Sequence, residues 1–385
     1  MNIRKVLEKM ITSRASDLHL KAGTPPIVRV DGVLYTLDDP APSAQELREV
    51  CNQLLNEEQR LYFSTHHEID FAFGVSGLAR FRANVFMQRN TPALALRHVP
   101  VEVPSIEDLT LPTVVRDLAF SPRGLLLVTG RTGSGKSTTL ASMIDAINRT
   151  TTRNVITIED PIEFLHRDHL SFIHQRELGL DTRSFHDGLK YVLRQDPDII
   201  LVGEIRDLET MRTVLMAADT GHLVLSTLHT TDVVQTIQRI VSFYPPHQHD
   251  EVRLSISSNL RAVVSQRLVP RADGQGRVPA VEVLVNTPTI KEYVLSADKV
   301  PMIHSAVAEG ATQYQMQTFD QSVLALLREG LITEEEALKN CNNPNELSLK
   351  LKGILGTSDR TWGPVDSQNK SGGVSGEEPN WKAAA

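Results

Sequence analysis

At 385 residues the chain has room for two or three domains, each with its own core. Hydrophobic residues at 41% and charged residues at 23% match an ordinary globular protein, while a net charge of −7 and 5% aromatics exclude a broad basic surface with stacking rings for nucleic acid. Two distant cysteines, Cys51 and Cys341, exclude a four-thiolate zinc site and a disulfide framework. The opening Met1 to Met10 carries Arg4, Lys5, Glu8 and Lys9 and has no signal-peptide pattern. No uncharged apolar run is long enough to cross a bilayer. The expectation is a protein of the reducing cytoplasm, with no nucleic-acid partner and no direct membrane insertion.

Residues 1–98 carry a mixed α/β pattern. Ile3 to Ile11 is an amphipathic helix, Ser16 to Leu20 is extended, and Gly23 to Pro26 turns. Ile27 to Val30 and Val33 to Tyr35 flank Asp31-Gly32, a two-residue hairpin signal. Helices at Ala44 to Leu55 and Glu57 to Thr65 precede strands at Ile69 to Phe73, Leu78 to Gln88 and Ala93 to His98. The middle strand places Arg80 and Arg82 on one face, since strand side chains repeat every two residues. Pro100, Pro104 and Pro112 stiffen a linker over 99–112. From 113 to 270 strands alternate with helices: Leu125 to Val128, Asn154 to Ile158, Ser171 to Gln175, Ile199 to Val202 and Leu223 to Thr227. This implies a parallel sheet covered on both faces, with its ligand beyond the carboxyl ends of the strands. After a hairpin near Asp273-Gly274-Gln275-Gly276, residues 271–355 are expected to be mainly helical. The stretch 356–385 lacks a periodic apolar face and is expected to be disordered.

The chemistry concentrates after those strands. Gly130-Arg131-Thr132-Gly133-Ser134-Gly135-Lys136-Ser137 is the glycine-rich phosphate loop, set between an apolar strand and an amphipathic helix. Its backbone N–H groups and the helix N-terminus favour phosphate oxygens. Lys136 reaches the outer phosphates and Ser137 can ligate magnesium. Glu159, Asp160 and Glu163 form an acidic turn after a strand, suited to holding a metal or activating water. Glu204 follows Ile199 to Val202 and Gly203, the layout of a magnesium-side acid. His222 and His229 bracket another strand, with His229 at its carboxyl end. Arg80, Arg82 and Arg97 are candidates for stabilising phosphoryl transfer across an interface.

Taken together, these motifs resemble the secretion ATPase superfamily and, within it, the type IV pilus retraction ATPases. The resemblance covers the phosphate loop, Ile158-Glu159-Asp160-Pro161-Ile162-Glu163, Gly203-Glu204, His222 with His229, and Ser16-Asp17-Leu18-His19. It runs nearly to residue 355. It implies an α/β protein with a PAS-like N-terminal α+β domain, then a RecA-like P-loop ATPase domain with a helical C-terminal extension, in a hexameric ring. It implies ATP and Mg²⁺ between the two domains. Gly130 to Ser137 with Thr138 and His222 would bind the nucleotide, and Ser137 and Glu204 the metal. Glu163 would activate water with Glu159 nearby, aided by Glu204, His229, Arg80, Arg82 and Arg97. The implied activity is ATP-driven pilus retraction at the cytoplasmic side of the inner membrane, on a pilus platform protein and alongside a paralogous retraction ATPase. An accessory subunit of a principal motor, and a type II secretion or pilus-assembly ATPase, are the alternative readings. Thr289 to Ser296 keeps little of the helix that such motors carry there. The four-cysteine zinc site and extra N-terminal domain of extension ATPases are not expected in this chain.

Overall fold

The computed structural model describes residues 1–30 and 32–351. Asp31 and the expected disordered stretch 356–385 lie outside the described residues. The first sheet is antiparallel, built from β1 (Asp17–Lys21), β2 (Thr24–Val30), β3 (Val33–Thr36), β4 (Glu68–Val75), β5 (Ala79–Gln88) and β6 (Thr91–Val99), in the order β3-β2-β1-β6-β5-β4. Val30 pairs with Val33 where β2 meets β3. One face of this sheet packs Leu18, Phe81, Val85 and Leu94 against Leu7 and Met10 of the helix Ile3–Thr12 and Leu47 and Val50 of the helix Ala44–Leu54. That second helix starts at a capping box in which Ser43 and Glu46 satisfy each other's backbone N–H groups.

The second sheet has seven strands: β7 (Gly124–Thr129), β8 (Asn154–Glu159), β9 (Phe172–Glu177), β10 (Ile199–Val202), β11 (Leu223–Leu228), β12 (Leu260–Pro270) and β13 (Arg277–Val285). Their order is β13-β12-β7-β11-β10-β8-β9. All neighbours pair in parallel except the β12–β13 hairpin. β7 is buried along its whole length. Leu125 and Leu127 feed the core on one face, and Leu126 and Val128 the core on the other. A strand covered on both sides has no polar face to show, which is why its sequence is an unbroken apolar run. The parallel order gathers the loops after β7, β8, β10 and β11 at one edge.

The expected helical region from 271 opens with a strand instead. β12 and β13 pair residue by residue from Ala262↔Val285 to Pro270↔Arg277, so the sheet continues past the expected boundary at 270. The turn is tied by the Gln275 N–H donating to Asp273 Oδ1 at 2.8 Å. Helices then follow, among them Pro288–Leu295, Ile303–Glu309, Phe319–Arg328, Glu334–Asn340 and Pro344–Leu351. The stretch that departs from the family pattern still forms a helix, begun by Thr287 as N-cap and seated by buried Ile290 and Val294.

Glu282 sits fully buried on β13. One oxygen accepts the Val233 N–H at 2.9 Å, and the other has no partner. Burial pushes its pKa up to about 8, against the pull of that hydrogen bond and of the Arg267 charge. A carboxyl with a raised folded pKa binds a proton that the unfolded chain releases. Its contribution is complete below the unfolded value of 4.5 and is lost as pH rises through 8. Glu282→Gln should therefore abolish a loss of stability, amounting to a few kcal/mol, that the wild type shows over this window, as measured by urea unfolding at successive pH values.

Candidate nucleotide site

The loop after β7 is shaped by close approach. Gly130 has φ 146°, and a Cβ there would lie 2.6 Å from the Gln266 carbonyl and against Ser134 Oγ. Only glycine fits. β12 supplies the floor: Thr129 Oγ1 and Ser265 Oγ lie 2.8 Å apart, and Gln266 Nε2 donates to Thr139 Oγ1 at 2.8 Å. The helix Lys136–Thr150 then begins at Gly135 with no side-chain cap. Its first-turn N–H groups lack intrahelical acceptors and carry the positive end of the helix dipole.

Lys136 is buried and donates to the carbonyls of Gly130 at 2.9 Å and Arg131 at 3.1 Å. Burial lowers its pKa, while Glu204 and Glu163 pull it back up. Ser134 Oγ is buried without a partner. An ammonium held only by neutral carbonyls, an uncapped helix start and an orphan hydroxyl are together what a phosphate group satisfies. The residues present fit a nucleotide phosphate tail.

The acids stand opposite. Glu159 ends β8, largely buried, and accepts from Thr157 Oγ1 at 2.7 Å and Gln175 Nε2 at 3.1 Å. Burial raises its pKa, against these hydrogen bonds. Glu163 lies on the following turn, half exposed, and its one ion pair is with Arg82 Nη1 at 4.0 Å. Glu204 follows β10, bonded to Arg206 and to His229 Nε2 at 3.0 Å. Burial would raise its pKa, but the Arg206 and His229 contacts outweigh it and the net shift is downward.

Thr132, Gly133, Gly135, Lys136, Ser137, Thr138, Glu159, Glu163, Glu204 and His229 thus line a single cleft of about 410 Å³. Gly130, Arg131 and Ser134 form the loop behind it. Three expected residues lie elsewhere. His222 is at the opposite end of β11, where its Nδ1 faces the Ala217 carbonyl at 3.0 Å, and the strand between is about 20 Å long. Arg97 is tied to Asp17, its cross-strand neighbour, at 2.8 Å. Arg80 is drawn to Glu177, at 3.0 Å. In each case a nearer partner holds the side chain.

The cleft also contains residues that the sequence pattern did not single out. Arg277 opens β13 and lines the cleft, because the hairpin folds back beside the loop. His166 lines it too, its Nδ1 buried without a partner. Burial lowers its pKa to about 4, so the ring is neutral near pH 7. A single histidine three residues past an acidic turn carries no periodic signal, and only the fold brings it in. Among the described residues there is no cluster of three or more His, Cys, Asp or Glu poised for a metal, and no helix long and apolar enough to cross a membrane.

Residues 1–339 match the family described as Type II/IV secretion system protein. The chain belongs to this family. Among its relatives, the type IV pilus retraction ATPase PilT of Pseudomonas aeruginosa is 43% identical over 344 residues, covering 89% of this chain and 99% of that one. The type IV pilus ATPase PilU of the same organism is 40% identical over 354 residues, covering 91% and 92%. A crystal structure of the pilus retraction motor PilT with bound ADP superposes with a TM-score of 0.84 at 45% identity, covering 90% of this chain and 99% of that one. The mixed α/β architecture is that of this family.

Gly130→Ala should lower unfolding free energy by about 1–3 kcal/mol, the scale of a strained backbone position. Gly133→Ala, also at positive φ (79°) but with nothing within 4 Å of its Cβ, keeps the backbone strain without the clash and should cost less. Chemical denaturation of the two variants side by side checks the difference.

Proposed function

We propose that this chain is an ATP-hydrolysing motor of type IV pilus retraction, the process behind twitching motility. The observation that carries this is similarity, over 89% of the chain, to a relative named as a retraction ATPase, in a chain whose phosphate loop, uncapped helix and opposed carboxylates are all in place. In this reading the first sheet is a PAS-like domain, the second a RecA-like ATPase core, and six copies close into a ring. The partners are an inner-membrane platform protein and a paralogous retraction ATPase. The ring works at the cytoplasmic face of the membrane.

Within the cleft the loop N–H groups from Gly133 to Ser137 cradle the phosphates, and the buried Lys136 exchanges its two carbonyl acceptors for phosphate oxygens. Thr138 stands beside Ser137 on the same cleft wall. Glu163 takes the proton of the attacking water: it is half exposed in the cleft and only loosely paired, with Arg82 at 4.0 Å. Glu159, bound by Thr157 and Gln175, orients the turn. Magnesium, when bound, neutralises charge on the phosphates, and Ser137 and Glu204 are the groups that would hold it. His229 fixes one oxygen of Glu204 and so connects the end of β11 to that side of the cleft. Arg82 meets Glu163 from the first sheet, so closure of the two sheets changes the surroundings of the reacting carboxylate. His222, at the far end of β11, has no part in this protomer's cleft, and Arg97 keeps its expected role across the interface between copies.

Lys136→Ala should abolish nucleotide binding in calorimetry. Glu204→Gln should keep binding and slow phosphate release roughly a hundredfold, the scale seen when a charge-stabilising group is lost. Full ATPase activity in both variants contradicts the assignment. Failure to restore twitching to a strain lacking its own retraction ATPase contradicts the pilus role.

A further inference from the structure

We propose that Glu177 is a positioning residue of the ATPase reaction, a role that rests on the hydrolytic reading above. Glu177 is the last residue of β9, at the edge of the second sheet, and its side chain is only 5% exposed. A carboxylate this deep needs partners, and it has them from two directions. Arg80 Nη2, from β5 of the first sheet, donates to Oε2 at 3.0 Å. The N–H of Ile162, next to Glu163, donates to the same oxygen at 3.3 Å. Its own N–H donates to Asp181 Oδ2 at 2.8 Å, and in the strand pairing it stands beside Glu159. The side chain therefore touches the first sheet and the acidic turn, while the backbone pairs with the strand that carries Glu159.

Arg80 and Arg82 share a face of β5, two residues apart. Fixing Arg80 on Glu177 places Arg82 opposite Glu163. The Arg82–Glu163 contact is long and half exposed, so by itself it holds little. The Arg80–Glu177 pair is short and mostly buried, and losing either partner strands a charge away from water. The register of Arg82 against the reacting carboxylate thus depends on Glu177. Arg80 Nε is buried with no acceptor, so one charged contact rather than a full set of hydrogen bonds holds the guanidinium. Such a contact can break and re-form as the sheets move.

The test is a double-mutant cycle on the full chain, with steady-state ATP hydrolysis as readout. Glu177→Gln and Arg80→Gln should each lower kcat by roughly tenfold or more while leaving KM for ATP within about a factor of two, since geometry at the reacting group is lost and the phosphate cradle is not. The double variant should be no slower than the slower single variant. Calorimetric ADP binding should stay at the wild-type value in all three. Independent, multiplying losses overturn the proposal, as does a Glu177→Gln variant with unchanged kcat. If Glu177→Gln does not fold, Arg80→Gln decides alone: lowered kcat with steady KM supports the role, and unchanged kcat removes it. A wild-type chain with no ATP hydrolysis sinks the enzymatic reading itself, whereas an active wild type with additive variants sinks only the role of Glu177.

Discussion

The structure depends on a helix whose first turn is left without side-chain acceptors at the mouth of a buried parallel strand. At Gly135 the chain enters the helix Lys136–Thr150 through a left-handed glycine, and no serine, threonine or aspartate closes the end. Other helices of the chain, such as those begun by Ser43, Asp207 and Asp232, satisfy that end with their own side chains. Here the donors stay available, next to an ammonium whose only hydrogen-bond acceptors are carbonyls. Keeping them free has a local cost, which the two hydrophobic cores around β7 offset: each fully buried Leu or Val contributes about 1.5–3 kcal/mol.

Much of this arrangement is legible in the residues alone. Ile199–Val202 is an apolar run between Asp198 and Gly203, so both ends of that strand are marked. Val128 leads into the glycine loop, and parallel topology then determines which strand ends share an edge with it. Glu159, Glu163, Glu204 and His229 follow strands at that edge, and they meet in the cleft for that reason. The strands β12 and β13 were harder to see. Leu260–Pro270 contains Gln266 and Arg267, polar residues that find their partners only once the helix after the loop and the terminal helices are in place.

The arginines show where sequence reasoning stops. Period-two spacing puts Arg80 and Arg82 on one face, but it does not tell which acid each will meet. Glu177 is one charged residue at the end of a short strand, and nothing near it in the chain marks it as buried. Its meaning comes from a contact 97 residues away in sequence. His222 has the opposite history. Its neighbourhood in the chain resembles that of His229, yet the intervening strand carries the two rings to opposite ends of the sheet.

β12 has one further property. Gln266 points toward the phosphate loop and reaches Thr139, while Arg267, the next residue, lies over the Phe319 ring at 3.8 Å and donates to the Asn340 carbonyl. Neighbouring side chains on a strand face opposite ways, so this single ribbon is held by the helix that follows the phosphate loop on one side and by the terminal helices on the other. The helix that begins at the phosphate loop and the terminal helices thus share one ribbon as their anchor.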